Sequence, residues 1–437
     1  GSMQGGLLGQ AQLDLIDNGE ITGQSDGRIR ADEMAERIVN PPDFFALSGS
    51  VNVFVRAFVE AGFDAGFFQQ WFTVWEQELA RITLFEFGIG GTYADGSAAN
   101  DPLKNVNVFF DGNSNAFPDS SEPLITSNQD ASYHFRVDHT DFDANQNGVI
   151  DFDEGRLIAY GGIDSGTELS QDIPFIASVG DAINPLSTLV RAGRESGLAA
   201  EKIDQWIRSS FDLGNKREYL LFDPLMTLES PEQLSSDEII DALNDYVAHI
   251  KTHFALDTYV STLQDFLPSD FGTELVDEID LIKDYSFVLF DQSSAPADVG
   301  QSLANAVTET IASRSDSLPA SAADDAQILG EFVADAIVDF SRQVDNELNQ
   351  SNHLRLADVE DELSSEAASI YANASVVKLR QLKKESLQTY RDWSEQTSSR
   401  LSLGEYSSVG SAIAANCDLD SPFDSFCNPA IVVDGSV

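Results

Sequence analysis

The chain has 437 residues, a hydrophobic fraction of 42% and a formal net charge of -48. This length favours two to four domains, and the apolar content is sufficient for folded cores. The charge excludes nucleic acid as a partner and disfavours an anionic membrane surface, because both are bound through surfaces rich in Lys and Arg.

Residues 1–80 are predicted to form a polar segment followed by helices rich in aromatic residues. The aromatic residues that recur at helical spacing are Phe54, Phe58, Phe67, Phe68, Trp71 and Trp75. This pattern predicts two helices, broken near Gly62 and Gly66, whose aromatic side chains pack in a core. The opening Gly-Ser-Met is typical of an expression tag, so we expect that a natural signal peptide has been removed. No apolar run of about 18 residues occurs, and the sequence therefore predicts no transmembrane segment.

Residues 81–184 have a different texture and predict a calcium-binding β domain. Short β-branched or aromatic segments alternate here with turns rich in Gly, Asn, Asp and Ser. These segments are RITLFEFG, NVNVFF, ASYHFRV and GRLIAYGG. Their length and spacing predict a small antiparallel sandwich.

Residues 185–405 are predicted to form a larger helical domain. A capping box at Ser235 and Glu238 opens one helix, whose apolar face is predicted from Ile239, Leu243, Tyr246, Val247 and Ile250. A later stripe with alternating three- and four-residue steps consists of Leu356, Val359, Leu363, Ala367, Ile370, Ala374 and Val377. This stripe predicts a long amphipathic helix that packs in a bundle or, as the alternative, pairs with a partner helix.

The tail, residues 406–437, contains both cysteines of the chain, Cys417 and Cys427. Their close spacing in a segment rich in Asp and Pro predicts a disulfide loop, and nothing nearby indicates reactive thiols. A disulfide favours an oxidising compartment.

The segment from Asp143 to Glu154 matches a twelve-residue calcium loop of the EF-hand type. Such a loop supplies oxygen ligands from positions 1, 3, 5, 7, 9 and 12 and needs a glycine at position 6 for a sharp turn. Here Gly148 is at position 6, and Ile150 at position 8 is expected to anchor the loop in a core. The predicted ligands are Asp143, Asn145, Asn147, the backbone carbonyl of Val149, Asp151 and Glu154. The alternative is a solvated Asn/Asp turn.

A second match to this spacing lies 32 residues upstream. Its predicted ligands are Asp111, Asn113, Asn115, Asp119 and Glu122. Ala116 replaces the turn glycine, and its left-handed conformation is expected to cost about 1 kcal/mol. Pro118 at position 8 also removes a backbone donor, so we expect a weaker site or a different loop geometry. Both loops adjoin predicted strands, which argues against a calmodulin-type sensor and favours a calcium clip in a β domain.

The segments VNVFFDGNSNAFPDSSEPLIT and ASYHFRV resemble the calcium-binding B-type repeats of bacterial surface adhesins. The continuation DANQNGVIDFDEGRLIAYGGIDSG, with INPLSTLV and LLFDPL further on, resembles a module of large secreted or surface proteins of environmental bacteria. The resemblance covers roughly residues 81–230. It implies an extracellular β domain that holds calcium, followed by a helical region, in a protein of adhesion or surface architecture.

The sequence contains no motif that identifies an enzyme. His249 and His253 have a spacing that could hold zinc, but Ile250 stands where the HExxH motif requires glutamate, and a solvated or capping role is favoured. A hydrolase with an unrecognised pair of carboxylates remains as an alternative without support. The basic residues of the long predicted helix are Lys378, Arg380, Lys383, Lys384 and Arg391, which are expected to pair locally with Glu385 and nearby acids or to meet an acidic partner.

The predicted fold class is α+β with several domains, in which N-terminal helices and a larger C-terminal helical domain flank a small antiparallel sandwich with calcium loops. The predicted function is that of an extracellular calcium-binding structural or adhesion protein of a bacterial cell surface, with Ca²⁺ as cofactor. A surface protein, a glycan or a second copy bound through the helical domain are the candidate partners. The alternative function is a secreted module that binds a glycan or a protein.

Overall fold

The structure is a computed structural model, and it combines small antiparallel sheets with a helical C-terminal region. It describes residues 2–15, 45–64, 69–89, 92–97, 101–127, 132–147, 150–211, 224, 228, 235–266, 275–292, 299–314, 326–351 and 365–416. The described residues fall into two compact units, one drawn from Gly1–Ala94 and Arg136–Gly155 and the other from Asp95–Phe135 and Arg156–Val437.

The strands are β1 (Ser2–Leu15), β2 (Phe45–Asp64), β3 (Gln69–Ile89), β4 (Thr92–Ser97), β5 (Leu103–Lys104), β6 (Asn107–Asp111), β7 (Leu124–Thr126), β8 (Ser132–Val137), β9 (Arg156–Tyr160), β10 (Ile163–Asp164) and β11 (Phe175–Ala177). The helices are α1 (His139–Phe142), α2 (Pro185–Glu195), α3 (Ala200–Phe211), α4 (Ser236–Phe266), α5 (Leu275–Asp291), α6 (Val299–Ser313), α7 (Ala326–Ser351), α8 (Ser365–Ser402) and α9 (Val409–Asn416).

The prediction of helices in the aromatic-rich N-terminal region is wrong. Strands β1, β2 and β3 form an antiparallel sheet in that order, and the β2–β3 pairing contains three register shifts, the first between Val51 and Asn52. The prediction fails because the same residues also have a second periodicity. Val51, Val53, Val55, Ala57 and Val59 alternate along β2. This spacing of two, with β-branched side chains, favours a strand over the helix that the Phe spacing predicted.

The second unit contains a four-stranded antiparallel sheet in the order β11-β9-β6-β7 and a two-stranded sheet of β10 and β5. The three residues Val108–Phe110 of β6 and all three of β11 are buried. Burial on both faces explains why these strands are continuously apolar, whereas a half-exposed strand alternates between apolar and polar residues. The packing of two sheets into a sandwich stays a prediction.

Helix α2 begins at Pro185, where the helical region was predicted to begin. The side chain of Asn184 accepts a hydrogen bond from the backbone N–H of Ser187, and the Ser187 hydroxyl accepts one from the backbone N–H of Asn184. Pro185 fits the first helical position because its missing N–H has no partner to lose there. Helix α2 is tied to the sheet by Thr188, whose hydroxyl accepts a hydrogen bond from the backbone N–H of Ile176 in β11.

Helix α4 is the central helix of the C-terminal region. The predicted capping box is confirmed, because the backbone N–H of Ser235 donates to Glu238 Oε2 over 2.9 Å and that of Glu238 donates to Ser235 Oγ over 3.3 Å. Every residue from Asp245 to Val260 is buried. The helix therefore packs on all sides, including its polar side chains, and is not limited to the one predicted apolar face.

Helix α8 buries a different face from the predicted one. Ile370 and Val377 are 66% and 65% exposed, and Ala374 is exposed as well. The buried face contains Ala372, Val376, Leu379, Lys383 and Leu387. Because Lys383 interrupts the buried face, the apolar periodicity of that face is weaker in the sequence than the periodicity of the exposed stripe.

The predicted α+β class and the helical C-terminal region are confirmed. In the part of the chain that the structure describes, no helix combines the length and the hydropathy needed to cross a bilayer. Cys417, Cys427 and the first part of the long apolar stripe, Leu356 to Leu363, lie outside the described residues.

Candidate metal centre

In the upstream loop, residues 111–122, all five predicted side-chain ligands make hydrogen bonds within the loop. The two amides, Asn113 Nδ2 and Asn115 Nδ2, donate to Asp119 Oδ2 over 2.7 and 3.0 Å. Glu122 reaches back across the loop, with Oε1 accepting from the backbone N–H of Gly112 at 2.8 Å and Oε2 from that of Asp119 at 3.0 Å. Asp111 accepts from the backbone N–H groups of positions 5 and 6, at 3.1 Å each.

The downstream loop, residues 143–154, has a similar set of hydrogen bonds, except that its position-12 glutamate accepts from the N–H of position 3 instead of position 2. Asn145 Nδ2 and Asn147 Nδ2 donate to Asp151 Oδ2 over 2.6 and 2.8 Å. Glu154 accepts from the backbone N–H of Asn145 at 3.1 Å and from that of Asp151 at 2.8 Å. The backbone N–H of Asn147 donates to Asp143 Oδ1 at 3.2 Å. Val149 and Gly148 lie outside the described residues.

The two loops share most of their internal hydrogen bonds at matching positions. In both, the position-5 N–H donates to the side chains of positions 1 and 3, and the amides of positions 3 and 5 donate to position 9. Position 12 accepts from the N–H of position 9 in both. The carboxylates at positions 1, 9 and 12 and the two amides are thus linked within one loop through hydrogen bonds, and their oxygens are the type of ligand that calcium prefers. Rotation of each amide by half a turn would present its oxygen in place of its nitrogen.

The backbone of the loops is bent at matching positions. Ser114 and Gln146, both at position 4, have φ angles of 60° and 58°. Ala116 at position 6 has a φ of 57°, so the predicted left-handed conformation of this residue is confirmed. Ile150 is buried as predicted for the anchor at position 8.

Replacing Ala116 by glycine is expected to stabilise the protein by about 0.5–1 kcal/mol, because glycine adopts positive φ without the steric cost that alanine carries. The measurement is the free energy of unfolding in urea. Ala192, inside α2, is the matched control, since Ala192→Gly in a helix is expected to cost about 1 kcal/mol. Equal losses at both positions would contradict the assignment of strain to Ala116.

Each loop is connected to a strand, as predicted. Strand β6 ends at Asp111, the first residue of the upstream loop, and β7 begins at Leu124, two residues after that loop ends. The downstream loop follows the four-residue helix α1 and is followed by β9. Neither loop is flanked by two long helices. Beside the downstream loop, burial lowers the pKa of His139 below its ordinary value, although Asp143 and Asp138 favour its charged form.

One residue that the sequence reasoning missed, Arg156, lies against the first ligand position of the upstream loop. Arg156 and Asp111 are both fully buried. Arg156 Nε donates to Asp111 Oδ2 over 2.9 Å, and Nη2 lies 2.8 Å from the same oxygen. On its other side, Arg156 Nη1 donates to Glu195 Oε2 of α2 over 2.5 Å. A lone arginine at the start of the apolar run RLIAY is the one signal in the sequence that could have indicated a buried ion pair.

Glu195 is the far end of this ion-pair chain. Its Oε1 accepts from Arg191 Nε at 2.7 Å, and Lys283 Nζ lies 3.3 Å from Oε2. Burial alone would raise the pKa of Glu195, but the charges of Arg156, Arg191 and Lys283 hold it below its ordinary value. A continuous set of charges therefore connects the upstream loop to helix α2.

The sequence predicts that the basic residues of α8 pair locally with Glu385. In the structure they pair with acids that are far away in sequence. Buried Lys383 lies 2.6 Å from Asp164 Oδ2 and 3.3 Å from Asp101 Oδ2. Arg380 Nε donates to Asp101 Oδ1 over 2.6 Å, and Tyr246 donates to the same carboxylate. The remaining pairs are Lys378 with Glu347, Lys384 with Glu168, and Arg391 with Asp172 and Asp257.

The predicted solvated or capping role of His249 and His253 is wrong, because both side chains are buried in α4. Among the described residues, neither ring nitrogen of His249 has a hydrogen-bond partner. The Nε2 of His253 has none there either. The ring of His253 packs edge-on against Phe175 with 5.3 Å between the ring centroids.

Within the described ranges, no three His, Cys, Asp or Glu side chains form a preformed metal-binding group. In the two loops the carboxylates are hydrogen-bonded to backbone N–H groups and amides, and two ligand positions in each are asparagine. Compared with known proteins, the chain matches no family model, no curated protein and no solved structure.

Proposed function

We propose that this chain is an extracellular calcium-binding protein of a bacterial cell surface, with a structural or adhesive role, in which calcium rigidifies the β region. The observation that carries the proposal is the shared geometry of the two loops. Residues 111–122 and 143–154 have carboxylates and amides at the same loop positions, and in both loops the two amides donate to the position-9 carboxylate. Two unrelated solvated turns would not be expected to share these hydrogen bonds.

Electrostatics favour cation binding at both loops. Each loop contains three carboxylates, and the chain carries a net charge of -48. Calcium lowers the repulsion among such carboxylates, and oxygen-only donors suit a hard cation better than zinc, which prefers nitrogen and sulfur ligands. The same acidity is compatible with a protein that meets divalent cations outside the cell.

The position of the loops supports a stabilising role for the metal rather than a sensing one. The upstream loop connects β6 to β7, and β6 pairs with β9 in the sheet. An ion that fixes this connection holds strands together and exposes no groove between helices. Because calcium binds only the folded loop, it is expected to add about 3 kcal/mol of stability at a hundredfold excess over its dissociation constant.

The variant with both Asp143→Ala and Glu154→Ala is expected to lose a large part of the stabilisation by calcium. Alanine removes the position-1 ligand and the bidentate position-12 ligand of the downstream loop. The measurement is the unfolding temperature in millimolar calcium minus that in EDTA, for the wild type and for the variant.

The matched control removes the same two charges from exposed helical positions, as Glu201→Ala with Glu309→Ala. This control is expected to keep the full calcium-dependent rise in unfolding temperature. An equal rise in the wild type and in the downstream-loop variant would contradict the assignment of that loop as a calcium site.

A further inference from the structure

The upstream loop differs from a simple calcium loop because its position-1 carboxylate already has a cation. We infer that Arg156 sets the calcium affinity of this loop: its guanidinium neutralises Asp111 in the metal-free protein and thereby weakens calcium binding there. The inference rests on the proposed function and names the residue that tunes one of its two sites.

The contacts of Asp111 show what Arg156 supplies. Asp111 is fully buried, and an isolated buried carboxylate is strongly disfavoured. The guanidinium contacts Oδ2 through Nε and Nη2 at 2.9 and 2.8 Å. Among the described residues Oδ1 accepts only the backbone N–H of Asn115, so it is the carboxylate oxygen that has no cation against it.

A calcium ion on Asp111 Oδ1 is held close to the guanidinium. With a Ca–O distance of about 2.3–2.6 Å, the ion and the Arg156 charge are separated by about 5–6 Å across one carboxylate. Calcium binding therefore has to overcome the repulsion of Arg156, or else Arg156 has to give up part of its interaction with Asp111. Either effect lowers the affinity for calcium.

Glu195 gives the guanidinium a second partner. Arg156 Nη1 lies 2.5 Å from Glu195 Oε2, so the positive charge is shared between the loop and helix α2. When calcium binds, the attraction of Glu195 offsets part of the repulsion at Asp111. Removing the charge of Glu195 should leave Arg156 more strongly bound to Asp111 and calcium less strongly bound.

Two substitutions test this balance in opposite directions. Each is made in the full chain together with Glu154→Gln. This added substitution weakens calcium binding at the downstream loop, so the measured heat of calcium binding reports on the upstream loop. Arg156→Met should bind calcium about tenfold or more tightly, which is the factor that Coulomb repulsion at about 5–6 Å gives even at the dielectric constant of water. Glu195→Gln should bind calcium about threefold or more weakly.

Arg156→Lys is the matched control, because it keeps the charge and should bind calcium with nearly unchanged affinity. Titration calorimetry with calcium chloride is the measurement. Calcium affinity that is unchanged or lower in Arg156→Met overturns the role of Arg156, since a purely structural arginine would lose affinity when removed. If Arg156→Met does not fold, unchanged affinity in Glu195→Gln overturns it instead. No calcium binding in the wild type contradicts the calcium proposal itself.

Discussion

Replacing Lys383 by methionine is expected to lower the free energy of unfolding by about 3–5 kcal/mol, which is the usual cost of removing one partner of a buried ion pair. Lys383 is buried between Asp164 and Asp101, with Nζ 2.6 and 3.3 Å from their carboxylates. Methionine has a similar length but no charge, so two buried carboxylates lose their common cation. Urea-induced unfolding near neutral pH gives the loss directly.

The neighbouring residue provides the control for this substitution. Lys384→Met removes a pair with Glu168, whose side chain is 81% exposed, and it is expected to change stability by no more than about 0.5 kcal/mol. Adding Asp164→Asn to Lys383→Met should restore part of the lost stability, because it removes one uncompensated charge. A loss for Lys383→Met no greater than that for Lys384→Met would show that the buried cluster does not hold α8 to the β10 segment.

His249→Leu is expected to make the protein less sensitive to acid. Burial lowers the pKa of His249 from 6.5 to about 3, so below about pH 6.5 the unfolded chain takes up a proton that the folded chain does not. The wild type therefore loses about 1.4 kcal/mol of stability per pH unit through this residue as the pH falls from about 6.5 towards 3. Leucine has no proton to bind and no unpartnered ring nitrogens.

The measurement is the difference in unfolding free energy between His249→Leu and the wild type, taken at several pH values. It should grow by about 2 kcal/mol between about pH 6.5 and pH 5. Burial also raises the pKa of Asp181 to about 6 and of Glu278 to about 7, which stabilises the folded state as the pH falls, but both are present in the variant and cancel. A difference that does not change with pH would show that His249 is not buried in its neutral form.

The features that the sequence predicts well are those set by neighbouring residues. The left-handed Ala116 and the buried Ile150 follow from positions within twelve consecutive residues, whereas the calcium ligands of both loops stay a prediction. The helix starts at Asn184–Pro185 and at Ser235–Glu238 depend on hydrogen bonds over three residues. Local chemistry of this kind has few alternative solutions, which is why it can be predicted without the rest of the fold.

The features that the sequence does not predict depend on contacts between distant residues. Arg156 and Asp111 are 45 residues apart, and Lys383 and Asp101 are 282 apart. In a chain with 73 acidic residues, the sequence cannot say which acid a given basic residue will contact. The burial of Lys383 also explains why the sequence predicts the wrong face of α8, since a periodicity analysis treats every lysine as exposed.

The N-terminal region shows a different difficulty. Residues 45–64 contain two overlapping periods, one of four from Phe54 and Phe58 and one of two from Val51 to Val59. Periodicity alone does not choose between them, and pairing with β1 and β3 makes the period of two prevail. Tertiary context commonly overrides propensity in this way.

Thermal unfolding of the full chain after dialysis against EDTA, repeated in millimolar calcium and in millimolar magnesium, is the most direct test of the calcium proposal. We expect calcium to raise the unfolding temperature by about 5 °C or more and magnesium to have little effect, because magnesium requires near-ideal octahedral geometry and loses its water ligands reluctantly. An unfolding temperature that is the same in EDTA and in calcium, in protein shown by metal analysis to be calcium-free at the start, would contradict the proposal.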